Sequence, residues 1–68
     1  MEILFITKLR ELRAGAGMTQ EDLADKVGVV RQTIAYLERG EYMPSLGLAQ
    51  KISRVFNKKI EEIFIFKK

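Results

Sequence analysis

The stretch Thr19-Gln20-Glu21-Asp22-Leu23-Ala24-Asp25-Lys26-Val27-Gly28-Val29-Val30-Arg31-Gln32-Thr33-Ile34-Ala35-Tyr36-Leu37-Glu38-Arg39-Gly40 reads as two short helices joined by a tight turn. Thr19 is placed to accept backbone N–H bonds of the first turn as an N-cap. Glu21 and Asp22 then put negative charge at the positive helix end. Met18, just before the cap, is placed to staple back onto Leu23. Leu23, Ala24 and Val27 form one apolar face, and Gly28 ends the helix where a left-handed backbone is needed. The second helix, about 31–39, turns Ile34 and Leu37 inward, and Gly40 ends it. Ala24, four residues before Gly28, is small enough to let the two helices approach closely where they cross.

That framework leaves the outer side of the second helix protruding. Arg31, Gln32, Thr33, Tyr36 and Arg39 are polar or amphipathic and alternate with the inward Ile34 and Leu37. Arginine can pair bidentately with guanine and glutamine with adenine, and a helix fits the major groove of DNA. Taken residue by residue, an ordinary solvated helix face is the better reading. Joined to the Ala-Gly-Ile-Leu framework, they point to base readout.

Outward from this segment, further helices are expected. Thr7 would cap one over about 8–14, with Ile6, Leu9 and Leu12 on its apolar side and Gly15 and Gly17 stopping it. Ser45, after Pro44, would cap a fourth helix. Leu48, Ile52, Val55 and Phe56 there follow the i, i+4, i+7, i+8 pattern of one helical stripe. Gly47 in its first turn should cost about 1 kcal/mol relative to alanine. A short fifth helix near 59–64 would bury Ile60, Ile63 and Phe64. The apolar runs Ile3-Leu4-Phe5-Ile6 and Ile63-Phe64-Ile65-Phe66 are β-branched and aromatic, which favours two antiparallel strands. The competing arrangement extends the flanking helices through them.

The 68 residues suit one domain, 1–68, with a modest core. Absence of cysteine excludes disulfides and thiolate zinc sites, and absence of histidine removes the commonest metal ligand and general base. No carboxylates or lysines form a catalytic pair, so no catalytic residue, metal or cofactor is expected and the chain is not read as an enzyme. No run of about 18 apolar residues is present. The N-terminal Met1-Glu2-Ile3-Leu4-Phe5-Ile6 lacks the basic start of a secretory signal, and a cytoplasmic location is expected. Net charge is +3. Residues 31–59 carry six basic and two acidic groups, whereas 1–30 carry four and five. A middle segment of net +4 can face a polyanion.

Leu12-Arg13, Gly17-Met18-Thr19-Gln20-Glu21-Asp22-Leu23-Ala24, Val27-Gly28-Val29, Arg31-Gln32-Thr33-Ile34, Leu37-Glu38-Arg39-Gly40 and Pro44-Ser45-Leu46 together resemble the Cro/C1-type (xenobiotic-response-element) helix-turn-helix family. The resemblance spans roughly residues 7–64. It implies a mainly α fold: a five-helix lambda-repressor-like DNA-binding domain, with a small two-stranded antiparallel sheet from the chain ends and the helix-turn-helix at about 19–40. It further implies a homodimeric repressor on a palindromic operator of double-stranded DNA. Gln20 would bind phosphate and touch a recognition-helix side chain. Arg31, Gln32 and Tyr36 would face base edges, with Thr33 and Arg39 near bases or backbone and Thr19 beside the DNA. Backbone amides around Gly40 to Met43 would contact phosphate, with Tyr42 nearby. Arg13 and Glu38 match positions that pair in a partly buried, structural salt bridge. Met43, Leu46, Ile60, Phe64 and Phe66 are the residues expected at the dimer contact.

Two positions depart from the family pattern. Val30 stands where Ser or Thr usually caps the recognition helix, and Tyr36 stands where relatives often carry a small or polar residue. The competing function is a protein-interaction module of the same fold, such as the antitoxin partner of a toxin. Salt separates the two: about six phosphate contacts make DNA binding fall steeply with ionic strength, whereas an apolar protein contact does not.

Overall fold

The computed structural model describes residues 3–66; Met1 and Glu2 of the N-terminal apolar run lie outside them. Along the chain come β1 (Phe5–Thr7), α1 (Leu9–Gly15), α2 (Gln20–Val27), α3 (Arg31–Glu38), α4 (Leu46–Phe56), α5 (Ile60–Ile63) and β2 (Phe64–Phe66). The fold is mainly helical with a two-stranded antiparallel sheet, as the sequence predicts.

The caps explain the boundaries. Thr19 Oγ1 accepts from the Asp22 amide at 3.0 Å, and Asp22 Oδ2 accepts from the Thr19 amide at 2.9 Å, closing a capping box. These Thr19 bonds, the backbone one first, hold the Asp22 carboxyl below its ordinary pKa, with Lys26 adding a smaller lowering. Ser45 Oγ accepts from the Leu48 amide at 3.1 Å and starts α4. Val30 has no side chain to offer α3, so only its backbone carbonyl takes a first-turn bond, from the Thr33 amide at 3.0 Å. Asn57, which the sequence reading did not single out, ends α4 in the left-handed conformation. Its short polar side chain makes that region less costly than it is for most residues.

Twelve apolar residues form the core: Phe5, Leu9, Leu23, Ala24, Val27, Ile34, Leu37, Leu48, Ala49, Ile52, Ile63 and Phe64. Every element contributes, and each fully buried large side chain is worth about 1.5–3 kcal/mol of removed apolar surface. Leu23-Ala24-Val27 and Leu48-Ala49-Ile52 share the spacing i, i+1, i+4, with alanine where neighbouring helices need room.

The chain ends pair as Phe5 with Phe66, Ile6 with Ile65 and Thr7 with Phe64. Strand alternation puts Phe5 and Phe64 inward, their rings edge-on at 5.4 Å, and leaves Ile6 and Ile65 side by side on the outer face. Ile6 therefore does not continue the apolar side of α1, because the chain is still extended there and helical spacing begins only at Leu9. Thr7, expected as the cap, lies one residue before the actual N-cap, Lys8, because α1 starts at Leu9. Its Oγ1 accepts from the Leu9 amide at 3.1 Å and donates to the Ile63 carbonyl at 2.9 Å, joining β1, α1 and α5. Gly15 is the last residue of α1 and does not stop it; Gly17, at φ +69°, makes the turn.

Gly28 and Gly40 both adopt left-handed φ, +74° and +72°. They differ in surroundings. A Cβ on Gly28 meets open space, whereas one on Gly40 runs into the carbonyl oxygen of Phe5. The amide of Leu4 donates to the Gly40 carbonyl at 2.8 Å, so the N-terminal segment is laid against the end of α3.

Glycine substitutions separate conformation from space. Gly40→Ala is expected to destabilise by more than the roughly 1–2 kcal/mol that left-handed φ alone costs a non-glycine residue, and Gly28→Ala by about that amount. Gly47→Ala, which meets nothing within 4 Å, should stabilise by about 0.5–1 kcal/mol. Urea unfolding of the three variants checks the order; equal losses for Gly28→Ala and Gly40→Ala contradict the close approach of β1 to α3.

Candidate nucleic-acid interface

Two stripes run along α3. Gln32, Tyr36 and Arg39, at i, i+4 and i+7, are exposed and point away from the core. Arg31 and Glu38 lie on the shoulder that meets the start of α2, with half-buried Ala35 between them. Thr33 is half-buried on the opposite shoulder and its hydroxyl has no partner among the described residues.

Glu38 organises the shoulder. Its Oε2 accepts from Arg13 Nε at 2.7 Å, and its Oε1 accepts from Gln20 Nε2 at 3.0 Å. Arg13 Nη1 also donates to the Met18 carbonyl at 2.8 Å, tying α1 to the loop before α2. The Arg13 and Glu38 side chains are 15% and 6% exposed, so the ion pair expected from the resemblance is present and nearly dry. Gln20 Oε1 then accepts from Arg31 Nη1 at 3.1 Å. The orientation of this amide is forced. A carboxylate only accepts and a guanidinium only donates, so the –NH₂ must face Glu38 and the carbonyl oxygen must face Arg31. A continuous chain of bonds, Arg13–Glu38–Gln20–Arg31, thus joins the scaffold to the first residue of α3.

On the outer stripe, the Arg39 guanidinium lies 5.0 Å from the centre of the Tyr36 ring, and Arg39 Nε contacts Glu41 Oε1 at 3.2 Å. Stacking and pairing stiffen both long side chains without burying them. Thr19 is bound into the α2 cap, although its hydroxyl proton remains free to donate. Tyr42 is exposed and follows α3 directly.

Two expectations are corrected. The Gly40 and Glu41 amides are already used, donating to the Leu37 and Tyr36 carbonyls at 3.0 Å each. Of the expected run of phosphate-binding amides, only those of Tyr42 and Met43 lack an acceptor among the described residues. Phe64, expected at a dimer contact, is 1% exposed and lies in the core. Strand alternation turns it inward, so it has no surface left for a second chain. Ile60 is half-buried against the core, whereas Met43, Leu46 and Phe66 are exposed, Leu46 at 81%. Arg10 was missed by sequence reasoning: it lines a cleft with Arg13, Gln20, Ala35, Glu38 and Arg39. The available signal was its place one turn before Arg13 on the same side of α1.

The comparisons agree with this geometry. The sequence model of the family described as Helix-turn-helix matches residues 9–63. An HTH-type transcriptional regulator of Archaeoglobus fulgidus is 65% identical over 60 residues, covering 88% of this chain and 86% of that protein. The HTH-type transcriptional regulator YgzD of Bacillus subtilis is 53% identical over 57 residues, covering 84% and 86%. Among solved structures, the restriction-modification controller protein C.AhdI of Aeromonas hydrophila superposes with a TM-score of 0.73 at 34% identity, covering 81% of this chain and 83% of that one.

Removing one member of the Arg13–Glu38 pair strands a nearly buried charge. Glu38→Ala is expected to destabilise by about 3–5 kcal/mol. The double variant Arg13→Met/Glu38→Leu should recover most of that, since the apolar pair leaves no charge behind. Thermal and urea unfolding test this; a double variant as unstable as the single one shows that the pair does more than neutralise itself.

Proposed function

The chain belongs to the Cro/C1-type helix-turn-helix family, and we propose that it is a homodimeric transcriptional repressor that reads a palindromic operator with α3 in the major groove. The observation carrying this is the unobstructed outer stripe of α3, with Arg31 held at its start by Gln20. Arg31 keeps Nε, Nη2 and one Nη1 proton free after its bond to Gln20, enough for a bidentate approach to guanine O6 and N7. Gln32, with no internal partner, is suited to adenine. Tyr36 presents an aromatic edge suited to a thymine methyl, and Arg39 lies over it within reach of base or backbone. The second Nε2 proton of Gln20, the Thr19 and Thr33 hydroxyls, and the Tyr42 and Met43 amides are suited to phosphate.

The dimer reading rests on apolar surface left uncovered. Met43 and Leu46 are exposed just after α3, and Ile6, Ile65 and Phe66 are exposed on the terminal ribbon. A twofold dimer of this chain sets two α3 helices about 34 Å apart, one turn of DNA. That surface suits a protein partner as well as a second copy, which is why the salt response of DNA binding decides between regulator and interaction module.

Selection from a randomised duplex library should yield a palindromic site. Arg31→Ala and Gln32→Ala are each expected to weaken binding to that site by about 1–3 kcal/mol and to relax preference at one base pair per half-site. Fluorescence anisotropy at several salt concentrations measures both. Unchanged affinity in both variants overturns base readout by α3, and sedimentation equilibrium showing only monomer at tens of micromolar overturns the dimer.

A further inference from the structure

Between α1 and the start of α2, beside α3, lies an open cleft of about 310 Å³ lined by Arg10, Arg13, Gln20, Ala35, Glu38 and Arg39. Its charge balance is unusual. Three guanidinium groups surround one carboxylate, Glu38, which is already satisfied by Arg13 and Gln20. Arg39 pairs with Glu41 through its Nε, and its side chain stays 57% exposed. Arg10 is exposed and makes no ion pair or hydrogen bond among the described residues. Among the described residues, Glu38 is the only acidic one lining the cleft. Its unspent donors therefore come from Arg10, Arg39 and the second Nε2 proton of Gln20, three groups on three helical segments converging on one opening.

We propose that this cleft seats a backbone phosphate of bound DNA and that Arg10, on α1 and outside the helix-turn-helix, is its principal ligand. The inference rests on the DNA-binding reading above and adds to it a contact from the first helix. The chemistry suits a phosphodiester. One negative charge with two non-bridging acceptor oxygens meets a planar fork of donors that is always charged. Arg13 is already engaged, its Nε and Nη2 donating to Glu38 and its Nη1 to the Met18 carbonyl, and its side chain is mostly buried. Such a contact positions the protein on the duplex and carries no sequence information of its own.

The test uses the full chain and a mixed-sequence 24-base-pair duplex, so it does not depend on knowing the operator. The dependence of log K on log salt is measured between 50 and 200 mM for the unaltered chain, Arg10→Ala, Arg10→Lys and Lys58→Ala. Lys58 lies outside this cleft and supplies the same change of charge. Arg10→Ala is expected to reduce the slope by about 0.9 and to weaken binding roughly five- to tenfold near 100 mM. Arg10→Lys should restore most of the slope, and Lys58→Ala should change it little. A slope for Arg10→Ala equal to that of the unaltered chain overturns the proposal while leaving DNA binding intact. Equal losses in Arg10→Ala and Lys58→Ala reduce the effect to net charge and overturn it too. Inorganic phosphate that, at equal ionic strength, competes against the unaltered chain but not against Arg10→Ala assigns the cleft to the free anion instead. Absence of salt-dependent binding by the unaltered chain removes the DNA reading itself.

Discussion

The arrangement of the side chains where α1, α2 and α3 meet depends on one carboxylate set nearly out of water. Glu38 carries a desolvation penalty that only close donors can offset, and Arg13 and Gln20 supply them from α1 and α2. A leucine at position 38 with an apolar partner at 13 would fill the same space. It would not dictate which way the Gln20 amide points, and so would not present a carbonyl oxygen to Arg31. The ion pair thus serves less as a source of stability than as a device that gives three helices one arrangement and extends it to the base of α3. Buried pairs are weak stabilisers on balance, and in this chain the geometry is carried on by the Arg31 donation to Gln20.

Much of this was legible in the sequence because local chemistry and global packing agree. Gly28 needs left-handed φ and has it; Leu23, Ala24, Val27, Ile34 and Leu37 fall on the faces their spacing assigns; Thr19 and Ser45 cap the helices that follow them. What escaped depends on tertiary placement. Ile6 lies three before Leu9, which suits a helical face, but the chain is extended there and strand period governs. Phe64 at the end of α5 resembles its neighbour Ile65 in composition, and only the register with Thr7 tells which of the two turns inward. The Gly40 and Glu41 amides look free in a loop after a helix, yet the last turn of α3 uses them. Arg10 and Arg13 are the same residue one turn apart. Their different environments follow from where Glu38 arrives, which no local pattern states.

The helix α3 lacks one ordinary device, a side-chain cap, since the Val30 side chain has no oxygen to offer. A missing cap is worth about 1 kcal/mol and leaves the first turn prone to fray. In this chain the first residue of that turn, Arg31, is held by Gln20 from the neighbouring helix. That bond fixes the Arg31 side chain and leaves the first-turn backbone N–H groups without a side-chain cap.

The far end of α3 is braced differently. Gly40 accepts from the Leu4 amide, and Phe5 passes so close that position 40 has no space for a side chain. Leu4 and Phe5 lead into the ribbon whose outer face carries Ile6 and Ile65. Both ends of α3 are thus held by bonds from outside it: polar at the start, at Arg31, and backbone at the finish, where the chain turns. Ile6 and Ile65 therefore lie on a ribbon whose first strand begins one residue after the bond to the end of α3. A tilt of the ribbon has to move Gly40 with it or break the Leu4 bond. The terminal ribbon and the end of α3 are thus coupled twice, by the Leu4–Gly40 hydrogen bond and by the close passage of Phe5 over Gly40.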